Sequence, residues 1–303
     1  MSASDVEQDF GPEMTCLPGE LKISPSKYFV GHTDALTCVA LFPDNKMIVS
    51  GSYDRRIRLW DIRSGQASGE PLRGHKVSVN VVAVSPDGTM IVSGGGDGRI
   101  LIWNATTRNL ATEPIQAYRN KIDSISFSPD SASIASVAGT TIKIWDVGTA
   151  KLIMDIESPN SERQVVFSPE GGRIAAVSHI APGEQTLRIW DVKTGKPAAV
   201  SPIAGHTGGL LSVAWFPNGQ RLVTTSLDRT IRLWISETGC QVGHSLHVAW
   251  MANHVAVSSD GKLIVARCGD NSIRLWNAIT LDQIKLVLQH VEPVLCIAIS
   301  TDM

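Results

Sequence analysis

Apolar and polar residues alternate along most of the chain in short segments that turn residues separate. Residues 36–42 (LTCVALF) are mostly apolar, as expected for a strand buried on both faces. Pro43-Asp44-Asn45 predicts a turn, because Pro presets φ and both Asp and Asn tolerate turn geometry. The segments 47–52 (MIVSGS) and 57–61 (IRLWD) then read as a hairpin, and a fourth strand is expected near Pro71-Leu72. The pattern therefore predicts a four-stranded antiparallel unit.

The turn of this hairpin decides which residues face each other. If Asp54-Arg55-Arg56 is a three-residue loop, Ser50 lies directly opposite Trp60. A hydroxyl beside an indole N–H must be hydrogen-bonded if the pair is buried. We therefore predict that Ser50 and Trp60 interact within the unit.

The unit recurs along the chain. Six tryptophans close similar segments, such as IRLWD and IKIWD, and the gaps between them are 43, 42, 45, 44 and 42 residues. These tryptophans are Trp60, Trp103, Trp145, Trp190, Trp234 and Trp276. A period of about 40–45 residues with a Trp-Asp ending is typical of stacked four-stranded sheets. In three units a Gly-His pair precedes the first strand, and its histidine lies 28 residues before the tryptophan.

From residue 28 onward these motifs resemble the WD-repeat β-propeller family. The resemblance implies that the His, a Ser or Thr, the hairpin Asp and the Trp of a blade form a structural hydrogen-bonded set. Three blades hold the full set: His32, Ser50, Asp54 and Trp60; His75, Ser93, Asp97 and Trp103; His206, Thr224, Asp228 and Trp234. The phrases GEPLRGH (69–75), SPDG (85–88) and WDVKTG (190–195) are also similar, more weakly, to the propeller arrays of fungal NACHT-type receptors.

The other blades depart from this pattern. The third has Ala117-Tyr118 in place of Gly-His and Gly139 in a turn without Asp. The fourth lacks the histidine and has Ala176 at the hydroxyl position, and the sixth has Ala266 there. We expect these blades to depend more on apolar packing and to be the less rigid part of the ring.

The two ends of the chain predict an incomplete seventh blade beside six complete ones. Residues 21–30 read as an outer strand, and residues 294–300 (VLCIAIS) repeat the first-strand pattern, with the middle two strands missing. Six blades could close alone, a gap could persist, or another chain could complete the ring, for example in a homodimer. Residues 21–303 are expected to form one domain, and the acidic residues 1–20 a disordered leader.

Composition narrows the class of protein. The 303 residues carry a net charge of −2, which gives no general attraction to nucleic acid or anionic membranes. Apolar residues make up 43% and charged residues 18%, so the chain can bury a large core. The apolar runs fall short of the roughly 18 residues of a membrane helix, and the five cysteines do not form a disulfide pattern. A cytoplasmic protein without cofactors is expected.

The propeller loops are the predicted functional surface. Seven residues occupy one equivalent loop position: Asp34, Val77, Asn120, Asn160, Gly208, Trp250 and Glu292. Trp250 is the leading candidate because Trp is enriched in binding hot spots, although its indole could instead fold back into the blade. Tyr53 and Leu227 each precede a turn aspartate and are further candidates. We predict a non-enzymatic scaffold that binds a protein or peptide on this surface.

Two alternatives use different chemistry. The central channel could bind a small molecule or glycan, or host an unusual enzyme, but the sequence shows no convergent trio of titratable groups there. A metal site of Cys240, His244, His247 and His254 matches no compact zinc spacing, so no metal is predicted. The three Ser/His/Asp sets are expected to be buried structural groups without a nucleophile facing a cleft.

Overall fold

The computed structural model describes residues 21–22, 27–178, 186–290 and 294–299. These residues form strands and turns without a helix, so none of their segments is a membrane-spanning helix. The predicted leader, residues 1–20, lies outside the described residues. The strands in chain order are β1 (Leu21–Lys22), β2 (Leu36–Leu41), β3 (Met47–Ser52), β4 (Arg56–Asp61), β5 (Leu72–Arg73), β6 (Val79–Val84), β7 (Met90–Gly95), β8 (Arg99–Asn104), β9 (Ile115–Gln116), β10 (Ser124–Phe127), β11 (Ser133–Ala138), β12 (Thr141–Asp146), β13 (Leu152–Glu157), β14 (Glu162–Phe167), β15 (Arg173–Ser178), β16 (Thr186–Asp191), β17 (Ile203–Ala204), β18 (Leu210–Trp215), β19 (Arg221–Ser226), β20 (Thr230–Ile235), β21 (Gln241–His247), β22 (Ala252–Val257), β23 (Leu263–Cys268), β24 (Ser272–Asn277) and β25 (Gln283–Gln289).

Consecutive strands build six four-stranded antiparallel sheets, which we call blades one to six. Blade one is β2–β5, and each later blade takes the next four strands, so that blade six is β22–β25. The first strand of each blade contacts the first strand of the next, from β2 through β6, β10, β14 and β18 to β22. The prediction of an all-β propeller with six complete blades is confirmed.

The core lies between successive blades because both faces of each sheet are apolar. At the junction of blades one and two, Val49 and Leu59 of blade one pack with Val79, Ile91 and Leu101 of blade two. Equivalent clusters fill the other four junctions between consecutive blades. Each blade therefore stabilises its neighbours, as in other repeat proteins.

The predicted hairpin register was wrong by two residues, because the loop lies one residue earlier than predicted. Trp60 pairs with Ile48, and Ser50 pairs with Arg58 rather than with Trp60. The loop is residues 53–55, because Arg55 takes a left-handed conformation with φ of 67° and closes a three-residue turn. Ser50 still reaches the indole diagonally, and Trp60 Nε1 donates to Ser50 Oγ at 2.7 Å.

The described residues form no seventh sheet. β1 pairs in parallel with β25 at the outer edge of blade six, and residues 294–299 are not a strand. These last residues contact both end blades: Arg267 of blade six donates to the carbonyl of Val294, and Ala298 lies beside Leu36 and Val39 of blade one. Residues 294–299 thus lie between blades six and one.

Candidate functional site at the loop face

Antiparallel connectivity brings two loops of every blade to the same end of the ring. One loop precedes the first strand, and the other joins the second and third strands. We call the surface made by these loops the loop face. Backbone hydrogen bonds hold the two loops of a blade together, for example from Tyr53 N to Ala35 O at 3.0 Å and from Gly96 N to Ser78 O at 2.9 Å. In these two blades the two loops are therefore fixed to each other.

Trp250 projects from this surface. Trp250 is 57% exposed, so the indole does not fold back into the blade. The loop that carries it is fixed on both sides, because Val248 N donates to Arg229 O at 3.0 Å and Gly269 N donates to Met251 O at 2.9 Å. An exposed indole on a fixed backbone needs little ordering on binding.

Three further candidates give the loop face exposed apolar surface. Tyr53 is 56% exposed, and Val77 and Leu227 are also exposed. Leu227 is held near the preceding loop of its blade by a hydrogen bond from its backbone N–H to Gly209 O at 2.9 Å. Together with Trp250, these residues place apolar groups on several loops of one face.

The polar candidates differ in accessibility. Asp34 and Asn120 are exposed. Asn160 is half-buried, and in the amide orientation that pairs both ends its oxygen accepts a hydrogen bond from Arg188 Nη2 at 3.1 Å. Glu292 lies outside the described residues.

The structure brings each of the three His, hydroxyl, Asp and Trp sets together. In blade five, Trp234 Nε1 donates to Thr224 Oγ1 at 2.8 Å, and His206 lies 2.8 Å from both the Thr224 hydroxyl and Asp228. Blades one and two have the same geometry through His32 and His75. Both ring nitrogens of each histidine are engaged.

Burial determines the charge of the histidines in these sets and the accessibility of the hydroxyls. Burial lowers the pKa of His75 and of His206 despite the neighbouring aspartates, so both rings are neutral at pH 7. The hydroxyls of Ser50, Ser93 and Thr224 are buried beneath the histidine and tryptophan. These hydroxyls are therefore not presented to a substrate, unlike the nucleophile of a catalytic triad.

Two blades replace the missing histidine in ways that sequence reasoning did not foresee. In blade three, Tyr118 takes its place: its hydroxyl lies 2.9 Å from Ser136 Oγ, which also accepts from Trp145 Nε1 at 2.9 Å. In blade four, Ser158 lies at the histidine position and donates to Glu162 Oε1 at 2.6 Å.

Glu162 is an unusual buried acid. It is the first residue of β14, where blades one, two and five have Leu36, Val79 and Leu210. Burial raises the pKa of its carboxyl to about 7, against the opposing effects of Ser158 and Arg188. Its Oε2 has no hydrogen-bond partner among the described residues. The sequence signal was a charged residue at a position that is otherwise apolar.

The metal alternative finds no support in the geometry. His244 and His247 lie on the outermost strand of blade five, whereas His254 lies on the innermost strand of blade six. Within the described ranges, no three His, Cys, Asp or Glu side chains are grouped as a metal site would require. Burial also lowers the pKa of His254 to about 4.

Comparison with known families agrees with the repeat in the structure. The repeat described as WD domain, G-beta repeat matches residues 23–61, 67–104, 112–146, 196–234 and 238–277, which together make up more than half of the chain. The chain belongs to the WD40-repeat family. Each WD40 match ends at or next to the tryptophan of the third strand, and the last four matches join the outer strand of one blade to three strands of the next. The WD40 matches skip most of blade four, where the histidine and hydroxyl are absent.

Three curated WD40 relatives illustrate the similarity. Autophagy-related protein 16 of Arabidopsis thaliana is 26% identical over 162 residues, which cover 52% of this chain and 30% of that protein. The guanine nucleotide-binding protein subunit beta of Oryza sativa subsp. indica is 27% identical over 176 residues, which cover 54% and 46%. The U3 small nucleolar RNA-associated protein 15 homolog of Gallus gallus is 31% identical over 125 residues, which cover 41% and 23%. The chain thus spans less than half the length of each relative.

Proposed function

We propose that this WD40 chain is a non-enzymatic scaffold that binds a protein or peptide on its loop face, with Trp250 as the main contact. The observation that carries the proposal is the 57% exposed indole on a loop fixed by hydrogen bonds to blades five and six. Trp is enriched in binding hot spots, and a rigid aromatic loses little entropy on binding.

The other features of the face support the same function. Tyr53, Val77 and Leu227 add apolar contact area around polar loops, which is the usual anatomy of a protein interface. The buried histidines are occupied by hydrogen bonds, which favours a structural over a catalytic role. The relatives include a subunit of a guanine nucleotide-binding protein, and such assemblies depend on protein contacts.

The test compares variants on the full chain. Wild type, Trp250→Ala and Ile279→Ala are immobilised, and captured proteins are measured by quantitative mass spectrometry. Ile279 is the control because it is exposed in the turn between β24 and β25, at the opposite end of the blades. A partner should be captured by wild type and Ile279→Ala and weakened about thirtyfold by Trp250→Ala, as expected for a loss of about 2 kcal/mol.

Two results would contradict the proposal. Capture unaffected by Trp250→Ala, Tyr53→Ala and Leu227→Ala would exclude the loop face. A thermal shift with a sugar, nucleotide or metal, without a protein partner, would favour the central channel as a small-molecule site. We include a cytoplasmic location in the proposal, to be tested by imaging a tagged chain.

A further inference from the structure

The loop face exposes mainly cations, although the chain as a whole carries a net charge of −2. From residue 31 onward, the described loops of this face expose five cationic residues and one acidic residue, Asp34. The five cations are Arg55, Lys76, Arg119, Lys121 and Arg229. A partner that approaches this face therefore meets mostly positive charge.

The remaining acidic residues of these loops are engaged within the fold. The side chains of the hairpin aspartates are only 3–10% exposed, and these residues are Asp54, Asp97, Asp228 and Asp270. They accept hydrogen bonds from groups of their own blades. Asp123 pairs with Lys121 Nζ at 2.8 Å and has a side chain 22% exposed. The structural role of these carboxylates thus leaves most of the loop cations without an exposed counter-charge.

Two cation-bearing loops meet at the hairpin turn between β7 and β8 of blade two. Lys76 belongs to the loop before β6, and its backbone N–H donates to Asp97 Oδ2 in the turn at 3.0 Å. The loop before β10 reaches the same turn from blade three, where Tyr118 N donates to Gly98 O at 3.0 Å. Arg119 directly follows Tyr118. Lys76 and Arg119 are therefore brought to one turn from two neighbouring blades.

We call Lys76, Arg119 and Lys121 the basic patch. Within the part of the chain that the structure describes, Lys76 and Arg119 form no ion pair, and the side chain of Lys121 is 67% exposed. Val77 follows Lys76 and Asn120 lies between the other two cations, and both are exposed. The patch thus offers unpaired cations next to an amide and a small apolar group.

We propose that the basic patch binds an acidic segment of the partner protein, with aspartate or glutamate carboxylates paired to Lys76 and Arg119. The inference rests on the proposed function, because it specifies the chemistry of a partner that binds the loop face. A guanidinium can bind a carboxylate through two parallel hydrogen bonds, and an ammonium acts through its compact charge. Complementary charge of this kind speeds association and selects among partners.

The composition of the patch favours a protein over a nucleic acid. A nucleic acid is usually met by an extended cationic surface, and the net charge of −2 opposes a polyanion at longer range. Tyr118 is half-buried and its hydroxyl is hydrogen-bonded to Ser136, so its ring is not an open platform for a base. Val77 and Asn120 instead suit the apolar and polar side chains of a peptide.

The test measures binding of a fluorescently labelled peptide of alternating glutamate and serine to the full 303-residue chain by fluorescence anisotropy. The control peptide has glutamine in place of every glutamate. We expect saturable binding of the glutamate peptide alone. Raising the salt from about 0.1 M to about 1 M should weaken this binding, since the Debye length falls from about 10 Å to about 3 Å.

Matched charge reversals locate the binding. Lys76→Glu combined with Arg119→Glu should weaken the peptide by on the order of tenfold, because two attractive charges become repulsive. Lys151→Glu combined with Lys193→Glu is the control, since both lysines are exposed in turns after the third strand of a blade, at the opposite end. The two double variants have the same net charge, and the control should change binding less than about twofold.

The exposed position of the patch keeps the test independent of folding. If the reversed charges lower the melting temperature, Lys76→Gln combined with Arg119→Gln removes both cations without adding carboxylates. This second variant should also weaken the glutamate peptide, and it should leave the melting temperature unchanged.

Several results would overturn the proposal. Absence of saturable binding up to about 1 mM peptide, or equal weakening by the two charge-reversed variants, would exclude a carboxylate site at the basic patch. A single-stranded uridine oligonucleotide that binds more tightly than the glutamate peptide, and that Lys76→Glu with Arg119→Glu weakens, would identify a nucleic acid as the occupant. Peptide binding that appears only after Asp5, Glu7 and Asp9 are changed to their amides would identify the acidic start of this chain as the occupant.

The capture experiment separates this inference from the proposed function. If capture depends on Trp250 but not on Lys76 and Arg119, the loop face binds its partner without an acidic segment, and the role of the basic patch is wrong. If the glutamate peptide binds through Lys76 and Arg119 while no captured protein depends on Trp250, Tyr53 or Leu227, the carboxylate site stands and the contact proposed at Trp250 fails.

Discussion

Asp228 shows how one buried carboxylate joins several parts of a blade. It accepts hydrogen bonds from the backbone N–H of Thr207 at 3.0 Å, from His206 at 2.8 Å and from the Thr230 hydroxyl at 2.7 Å. Burial alone would raise its pKa, but these hydrogen bonds outweigh burial and lower the pKa to about 2. The ionised carboxylate is therefore the form that the fold stabilises.

We predict that Asp228→Asn lowers the free energy of unfolding by about 1–3 kcal/mol at pH 7, because an amide nitrogen replaces one acceptor oxygen. The folded pKa is depressed, so the difference from wild type is fully present above pH 3.8 and narrows as pH falls toward about 2. Urea unfolding of both proteins at several pH values measures this difference in the free energy of unfolding. Asp282→Asn, at an exposed turn, is the control and should change stability by less than about 0.5 kcal/mol.

The pKa of Glu162 is shifted in the opposite direction to that of Asp228. Burial raises the pKa of its carboxyl from 4.5 to about 7, so the folded chain holds a proton that the unfolded chain releases. Its contribution to stability is complete below pH 4.5 and is lost as pH rises toward 7. An amide at this position would keep the neutral form at every pH.

We therefore predict that Glu162→Gln gains stability relative to wild type as pH rises from 4.5 to 7, by up to about 3 kcal/mol. Urea unfolding of both proteins across this range measures the difference. Glu157→Gln, which removes an exposed carboxylate from β13, is the matched control. Parallel stability curves for wild type and Glu162→Gln would show that the Glu162 carboxyl does not titrate differently on folding.

Among the elements, β7 and β15 differ in what lies beneath the tryptophan. In β7, Ser93 Oγ accepts from Trp103 Nε1 at 3.0 Å and lies 2.9 Å from His75 Nε2. In β15, Ala176 occupies the same register position relative to Trp190 and has no hydroxyl. Each lost hydrogen bond is worth about 0.5–1.5 kcal/mol.

We predict that central amides of β15 exchange with deuterium about tenfold faster than those of β7, which corresponds to about 1.4 kcal/mol. Ala176→Ser should slow the exchange in β15, since its hydroxyl can accept from Trp190. Ala175→Ser is the control, because Ala175 is as deeply buried as Ala176 but faces blade five. Equal exchange in β7 and β15 would contradict the expected difference in rigidity.

The elements of the fold were predictable because each blade repeats one pattern, with buried strands and a tryptophan at a fixed spacing. The hairpin register was not, because it depends on the left-handed conformation of Arg55, which a non-glycine residue rarely adopts. The role of Tyr118 was also hidden, since its longer side chain reaches Ser136 only in the folded blade. For the loop face, the position of Trp250 could be read from the repeat, but its exposure could not.

For the whole molecule, the ring gives blades one and two different surroundings although their second strands are nearly identical. The strands β3 (MIVSGS) and β7 (MIVSGG) differ at one position. Both blades hold a complete His, hydroxyl, Asp and Trp set. Ile48 in β3 is nevertheless half-buried, whereas Ile91 in β7 is fully buried. Position in the ring, rather than local sequence, causes this difference.

This pair of strands tests the effect of position in the ring, and β7 serves as the internal control. We predict that amides of β3 exchange about tenfold faster than the matching amides of β7, because one face of blade one lacks a neighbouring blade. Hydrogen–deuterium exchange with mass spectrometry measures both strands in one sample. If β3 and β7 exchange equally, both faces of blade one are covered in solution as they are in blade two.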